Sequence, residues 1–230
     1  MSKKKRNGNG NENGEKSNGI RARIHVTVRS EHQKELLRSI KDNVVTIVEG
    51  PAGSGKTMLS VISCLREFTL GRYSKMIFTR PCVEANGENL GFLPGDLNEK
   101  ISPYMYPIFD FLSDHLSSKQ IEGMVESETI VTLPLAFQRG ITFRNAFVIL
   151  DEAQNTSPAQ IRMFLTRIGE NCKIVITGDP EQSDIKGING LADACGRLEG
   201  VTDLGIVKFT KEDICRHPIV VEIEEKYKEL

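Results

Sequence analysis

Gly50-Pro51-Ala52-Gly53-Ser54-Gly55-Lys56-Thr57 fits the phosphate-loop pattern G-x-x-x-x-G-K-[ST]. Val44 to Val48, just before it, is a β-branched apolar run that reads as a buried parallel strand. Met58 to Leu65, just after it, reads as a buried helix. A strand, a glycine loop and a helix start together make an anion site, because loop N–H groups and the helix dipole both favour negative charge there. On this reading Gly50 through Thr57, with Met58 next in line, contact the nucleotide. Lys56 reaches the β- and γ-phosphates, and the Thr57 hydroxyl can ligate Mg²⁺.

A phosphate loop needs a carboxylate to help hold the metal. The apolar run Ala146 to Leu150 ends in Asp151-Glu152. A strand tip holds Asp151 rigidly as a metal ligand, while Glu152, one residue on, points elsewhere and can polarise an attacking water. The next apolar run, Lys173 to Thr177, ends in Gly178-Asp179, with Gln182 close behind. In open α/β sheets ligands sit past the carboxyl ends of the strands, so Gln182 is a candidate reader of the γ-phosphate or the water. Phosphoryl transfer also calls for a cation at the developing charge. Arg80, Arg139 and Arg216 are candidates that spacing does not separate.

Upstream, Ser30 followed by Gln33 fits a capping box opening a helix to about Ile40. The Gln33 amide has a second reading, since Gln can pair with the N6/N7 edge of adenine. Ile24 to Val28 alternates as a short strand would. Further strands are expected at Met76–Thr79, Ile130–Leu133 and Gly205–Phe209. Helices are expected in parts of 97–115, interrupted at Pro103 and Pro107, and near 118–125, 158–168 and 191–198. A last helix opens at Pro218 and puts Ile219, Ile223 and Tyr227 on one stripe. Strands alternating with helices predict one α/β domain, a parallel sheet flanked by helices, over residues 20–230. Met1 to Gly19 is low in complexity and is expected to be a disordered tail.

With 30 Lys+Arg against 31 Asp+Glu the net charge is −1, which excludes a globally basic coat but not a local basic groove. No apolar run is long enough to span a membrane, and no secretory signal is visible. The five scattered cysteines, Cys64, Cys82, Cys172, Cys195 and Cys215, read as reduced, mostly buried thiols of a cytoplasmic protein, with no zinc site.

Several of these stretches resemble the PhoH-like ATPases, single RecA-like P-loop NTPase domains similar to superfamily 1 helicase motor domains. They are Glu49 to Thr57, Thr79-Arg80-Pro81, Leu90 to Leu97, Pro134 to Gly140, Phe147 to Asn155, Thr177-Gly178-Asp179 with Gln182, and Arg216-His217-Pro218. The resemblance runs from about Ser30 to the end of the chain. It implies ATP and Mg²⁺ as ligands, and ATP hydrolysis coupled to RNA or single-stranded DNA. It moves Gln33 to the adenine-reading role and favours Arg216 as the arginine finger. A homo-oligomer, by analogy a hexameric ring, is expected if Arg216 faces a neighbour's phosphate. Two departures stand out: Asn86 is an additional residue, and Gln138 stands where the family usually has an apolar one. Two rival functions remain: a deoxynucleoside kinase of the thymidine kinase type, and a nucleotide-gated assembly module that does not hydrolyse.

Overall fold

The computed structural model describes residues 24, 26–81 and 97–228. The expected tail, Cys82, Asn86 and most of Leu90 to Leu97 lie outside the described residues.

Six parallel strands form one sheet in the order β3-β2-β4-β5-β1-β6. They are β1 (Val45–Glu49), β2 (Lys75–Thr79), β3 (Ile130–Thr132), β4 (Ala146–Leu150), β5 (Cys172–Gly178) and β6 (Leu204–Lys208). Seven α-helices accompany them among the described residues: α1 (Glu31–Asp42), α2 (Lys56–Thr69), α3 (Leu97–Ser113), α4 (Ser118–Glu126), α5 (Pro158–Leu165), α6 (Gly190–Arg197) and α7 (Pro218–Lys228). This is the expected α/β domain with a parallel sheet flanked by helices.

Strand side chains alternate between two cores, as period two requires. Val48, Phe78, Phe147, Ile149 and Val175 face a core shared with α1, α2 and α3. Ile47, Ile77, Val148, Leu150, Ile174 and Ile176 face a second core under α5 and α6. With both faces covered, β4 and β5 are buried at every position, which is why they read as continuous apolar runs. All six expected strands at the sheet form within a residue or so of their predicted bounds.

Three expectations change. Residues 24 and 26–28 form no ladder; Ile24 and Val26 pack against the first core instead, so apolar alternation here marks a packed segment. Helix α3 passes Pro103 and Pro107 without a break, because Met105, Ile108 and Leu112 are buried along one face of it. The α7 stripe of Ile219, Ile223 and Tyr227 does form, but it faces solvent rather than the core, with Tyr227 75% exposed.

Two long-range ties hold α1 in place. The buried Lys173 ammonium, from β5, donates to the carbonyls of Ile40, Lys41 and Asn43 at the end of α1. Those are carbonyls a helix end leaves without partners. At the other end His32 Nδ1 lies 2.9 Å from Asp213 Oδ2. Asp213 also receives the Thr210 N–H at 2.7 Å, closing a Thr210–Asp213 capping box. The chain after β6 is thereby fastened to the start of the first helix.

Candidate nucleotide site

The carboxyl ends of β1, β2, β4 and β5 open into a cleft of about 670 Å³. It is lined on the polar side by Gln33, Ala52 to Thr57 apart from Ser54, Asp151, Glu152, Asp179 and Gln182. Its other wall sets the apolar side chains of Val26, Met58, Ile62, Pro107 and Phe111 beside Arg29, Asp114 and His115. Gly53 adopts φ +77°, open to glycine at little cost. A Cβ there would meet the Arg216 side chain at 2.4 Å. The loop leads into α2 through Gly55, so the first amides of α2 point into the cleft.

Lys56 is buried and donates to the carbonyls of Gly50 at 2.7 Å and Pro51 at 2.8 Å. Burial pushes its ammonium below the ordinary lysine value, and the carboxylates of Asp179, Asp151 and Glu152 oppose that shift. The Thr57 hydroxyl donates to Asp151 Oδ1 at 2.8 Å, and the Thr177 hydroxyl donates to the same oxygen at 2.5 Å. Arg80 grips the other oxygen, Oδ2, through Nε at 3.0 Å and Nη2 at 2.5 Å. Asp151 is therefore a buried carboxylate with both oxygens engaged.

A magnesium ion needs hard oxygen donors, keeps several waters, and takes few ligands from protein when phosphates supply the rest. A hydroxyl and a carboxylate 2.8 Å apart at the mouth of a phosphate loop fit that requirement. No cluster of three or more His, Cys, Asp or Glu able to hold a metal occurs among the described residues.

Glu152 sits apart from this pair. Its backbone is left-handed, φ +57°, the turn that ends β4 and swings its side chain away from Asp151. Its Oε2 accepts from Gln154 Nε2 at 2.6 Å. Gln154 Oε1 in turn accepts from the backbone N–H of Asp179 at 3.1 Å, and Asp179 Oδ2 accepts from the backbone N–H of Ala52 at 3.0 Å. A chain of hydrogen bonds thus joins the phosphate loop to Glu152 through the tip of β5. Gly178 is part of it: a Cβ there would lie 2.5 Å from Gln154 Oε1.

Gln33 combines parts of both readings. Ser30 Oγ accepts from the Gln33 N–H at 3.1 Å, so the helix cap forms. The side-chain amide does not close the box on Ser30. It accepts from Arg29 N at 2.8 Å and donates to Ser54 O at 2.9 Å, pinning α1 to the phosphate loop. Gln182 lines the cleft with its side chain exposed.

The three arginine candidates separate in space. Arg139 is exposed and away from the cleft lining. Arg80 holds Asp151. Arg216 lies over Gly53 of its own phosphate loop, fixed by a 2.9 Å bond from Cys215 N to Gly53 O. The expectation has Arg216 turned outward to a neighbour; here it lines its own chain's cleft.

Sequence reasoning assigns no role to Gln154, Thr177 or Asp179. Asp179 carries the same signal as Asp151, an acid at a strand end, whereas no spacing rule points to Gln154. The four described cysteines are free; Cys64, Cys172 and Cys195 are buried and Cys215 is exposed at the cleft. Among the described residues no helix is long and apolar enough to cross a membrane.

A phosphate loop on β1–α2, beside an acidic tip on the next strand but one, defines the class: a P-loop NTPase domain with a nucleotide-binding cleft. The PhoH family model, described as PhoH-like protein, matches residues 25–228, and the chain belongs to that family. The PhoH-like protein of Bacillus subtilis (strain 168) is 46% identical over 204 residues, covering 88% of this chain and 64% of that one. Protein PhoH of Escherichia coli (strain K12) is 40% identical over 195 residues, covering 83% of this chain and 55% of that one. The chain thus spans less than two thirds of the length of these curated relatives. Among solved structures, the large terminase from a thermophilic bacteriophage superposes with a TM-score of 0.51 at 13% identity. That match covers 86% of this chain and 50% of the terminase, a likeness of fold alone.

Proposed function

We propose that the chain is a Mg²⁺-dependent ATPase whose turnover is coupled to RNA or single-stranded DNA. The observation that carries this reading is the division of labour between the two adjacent acids of β4. Asp151 is fixed to the Thr57 hydroxyl, while Glu152 is turned away and held by Gln154. A site that only bound nucleotide would have no use for the second, separately oriented carboxylate.

In this reading the loop amides and Lys56 hold the phosphates, and Lys56 exchanges its bonds to Gly50 and Pro51 carbonyls for phosphate oxygens. Thr57 and Asp151 hold Mg²⁺, which neutralises charge on the phosphates when bound. Glu152 accepts a proton from the attacking water, and Gln182 reads the γ-phosphate. Gln33 faces adenine. Arg216, in its own chain's cleft, offers a guanidinium to the transferring phosphoryl group without help from a neighbour. Assembly into a homo-oligomer, a hexameric ring included, is then not required to bring an arginine to the site. The exposed α7 stripe is the surface such an assembly would use.

The test is phosphate release from ATP by the purified chain, with Mg²⁺ or with chelator, and with oligo-U, oligo-dT or neither. Turnover that needs the metal and rises with either oligonucleotide is expected. No release of phosphate, or transfer of the γ-phosphate to an added deoxynucleoside, overturns the reading.

A further inference from the structure

After β3 the chain turns at the carboxyl edge of the sheet and runs back along the second core. The turn Leu135–Gln138 buries Leu135 and, with 0% exposure, Gln138. Phe137, between them and solvent, is 54% exposed. Among the described residues the buried Gln138 Oε1 has no hydrogen-bond partner, and its Nε2 reaches only the Leu133 carbonyl, at 3.4 Å. Local physics favours the opposite arrangement, with the ring inside and the amide in water. A residue pair that breaks local rules in this way marks a position kept for something other than stability.

The surroundings say what that is. From Leu133 to Leu150 the sequence contains Arg139 and Arg144 and no acidic residue. Both arginines are exposed, as is Arg162 on α5, the helix that packs on this turn. None of the three forms an ion pair with a described residue. Ile141, between the first two, is also exposed. A bare aromatic face beside guanidinium groups without counter-ions suits single-stranded nucleic acid, where bases stack on rings and phosphates pair with arginine. On a chain of net charge −1 it is a local exception.

We propose that the segment Phe137 to Arg144 is a single-strand-binding surface, with Phe137 stacking on a base and Arg139 and Arg144 meeting phosphates. This rests on the nucleic-acid part of the reading above. The surface also has a short route to the site. The Leu135 N–H donates to the Arg80 carbonyl at 3.1 Å, and the Arg80 guanidinium holds Asp151. A strand that moves the turn moves the residue that grips the proposed metal carboxylate.

The experiment is fluorescence anisotropy of labelled oligo-U and oligo-dT at two salt concentrations, alongside binding of a fluorescent ATP analogue and sedimentation. Phe137→Ala should weaken oligonucleotide binding about tenfold or more while Phe137→Tyr keeps it. Arg139→Ala should lower the slope of log affinity against log salt by roughly one. ATP-analogue binding should not change in any of these variants. If the wild type binds oligonucleotide and Phe137→Ala binds it equally well, the surface is elsewhere and the ATPase reading stands. If Phe137→Ala instead changes only the sedimenting species, the face is a protein interface and the inference fails. A wild type that hydrolyses ATP and binds neither oligonucleotide at low salt overturns this inference and the nucleic-acid part of the reading together.

Discussion

The Gln154 amide donates to Glu152 Oε2 across 2.6 Å while its own oxygen is held by the backbone of Asp179. Because both ends are engaged, the amide can point only one way, and Glu152 is offered a donor rather than a second acceptor. Gln154→Glu keeps the acceptor for Asp179 but sets a carboxylate against Glu152. Two acids that close cannot both ionise easily, so their shared titration rises. The acid limb of the pH–turnover profile should move to higher pH, with binding of a fluorescent ATP analogue unchanged. Gln154→Leu should lower turnover roughly 10²-fold by freeing Glu152 from its position. A profile identical to wild type in Gln154→Glu would leave Gln154 a packing residue only.

Lys56→Ala and Glu152→Gln should separate binding from chemistry. Lys56→Ala removes the cation facing the β- and γ-phosphates and should weaken ATP binding. Glu152→Gln should bind ATP as the wild type does and lose turnover. Isothermal titration and phosphate release on the same preparations check both, and a Glu152→Gln variant with wild-type turnover removes Glu152 from the base role.

Arg80→Gln should destabilise the protein by roughly 3 kcal/mol, since it leaves a buried Asp151 charge without its partner. If Thr57 and Asp151 hold the metal, Mg²⁺ should recover part of that loss, raising the melting temperature of Arg80→Gln more than that of wild type. Equal shifts in the two proteins would count against Asp151 as a metal ligand.

Gln138→Leu should stabilise the protein by about 1–2 kcal/mol, because a buried amide oxygen without a partner among the described residues is removed and the volume is nearly kept. Urea midpoints at constant m-value measure it. A loss of stability would mean that the Gln138 amide has a partner in solution.

Asp213 predicts a pH dependence. Burial pushes its carboxyl up, but bonds from Ser30 and Thr210 and the neighbouring His32 outweigh that and hold it below the usual carboxylate range. A depressed folded value means its stabilisation is complete above about pH 4 and fades as pH falls through the folded value. Asp213→Asn should cost about 2 kcal/mol between about pH 5 and 8, with the gap to wild type closing below about pH 4. A gap that stays constant down to about pH 2 would show that the charge on Asp213 contributes nothing.

The sheet was legible because β4 and β5 are buried on both faces, so their residues carry one unambiguous signal. The phosphate loop and the acids at strand ends were legible for a related reason: strand, turn and helix put them at one edge by local rules alone. Gln154 and Thr177 escaped because their roles depend on which strands lie side by side, and β4 pairs with β5 across a separation that spacing does not encode. Gln33 was half legible. Its cap is local, whereas its bond to Ser54 depends on how α1 packs. The α7 stripe shows the converse failure, since periodicity reveals an apolar face but not whether anything covers it.

The position of β1 in the sheet sets the order in which the molecule can be finished during synthesis. Its ladders run only to β5, from Val45↔Ile174 to Glu49↔Gly178, and to β6, from Val45↔Leu204 to Glu49↔Lys208. The strands β2, β3 and β4 can join one another as soon as they leave the ribosome. The strand that leads into the phosphate loop emerges before all of them, and it stays without a neighbour until Cys172 to Gly178 has been made. It is a long-range closure of the kind that slows folding and leaves an unpaired strand open to wrong partners. A nascent chain halted before Lys208 would carry the whole Gly50–Thr57 motif on a strand with one side still open.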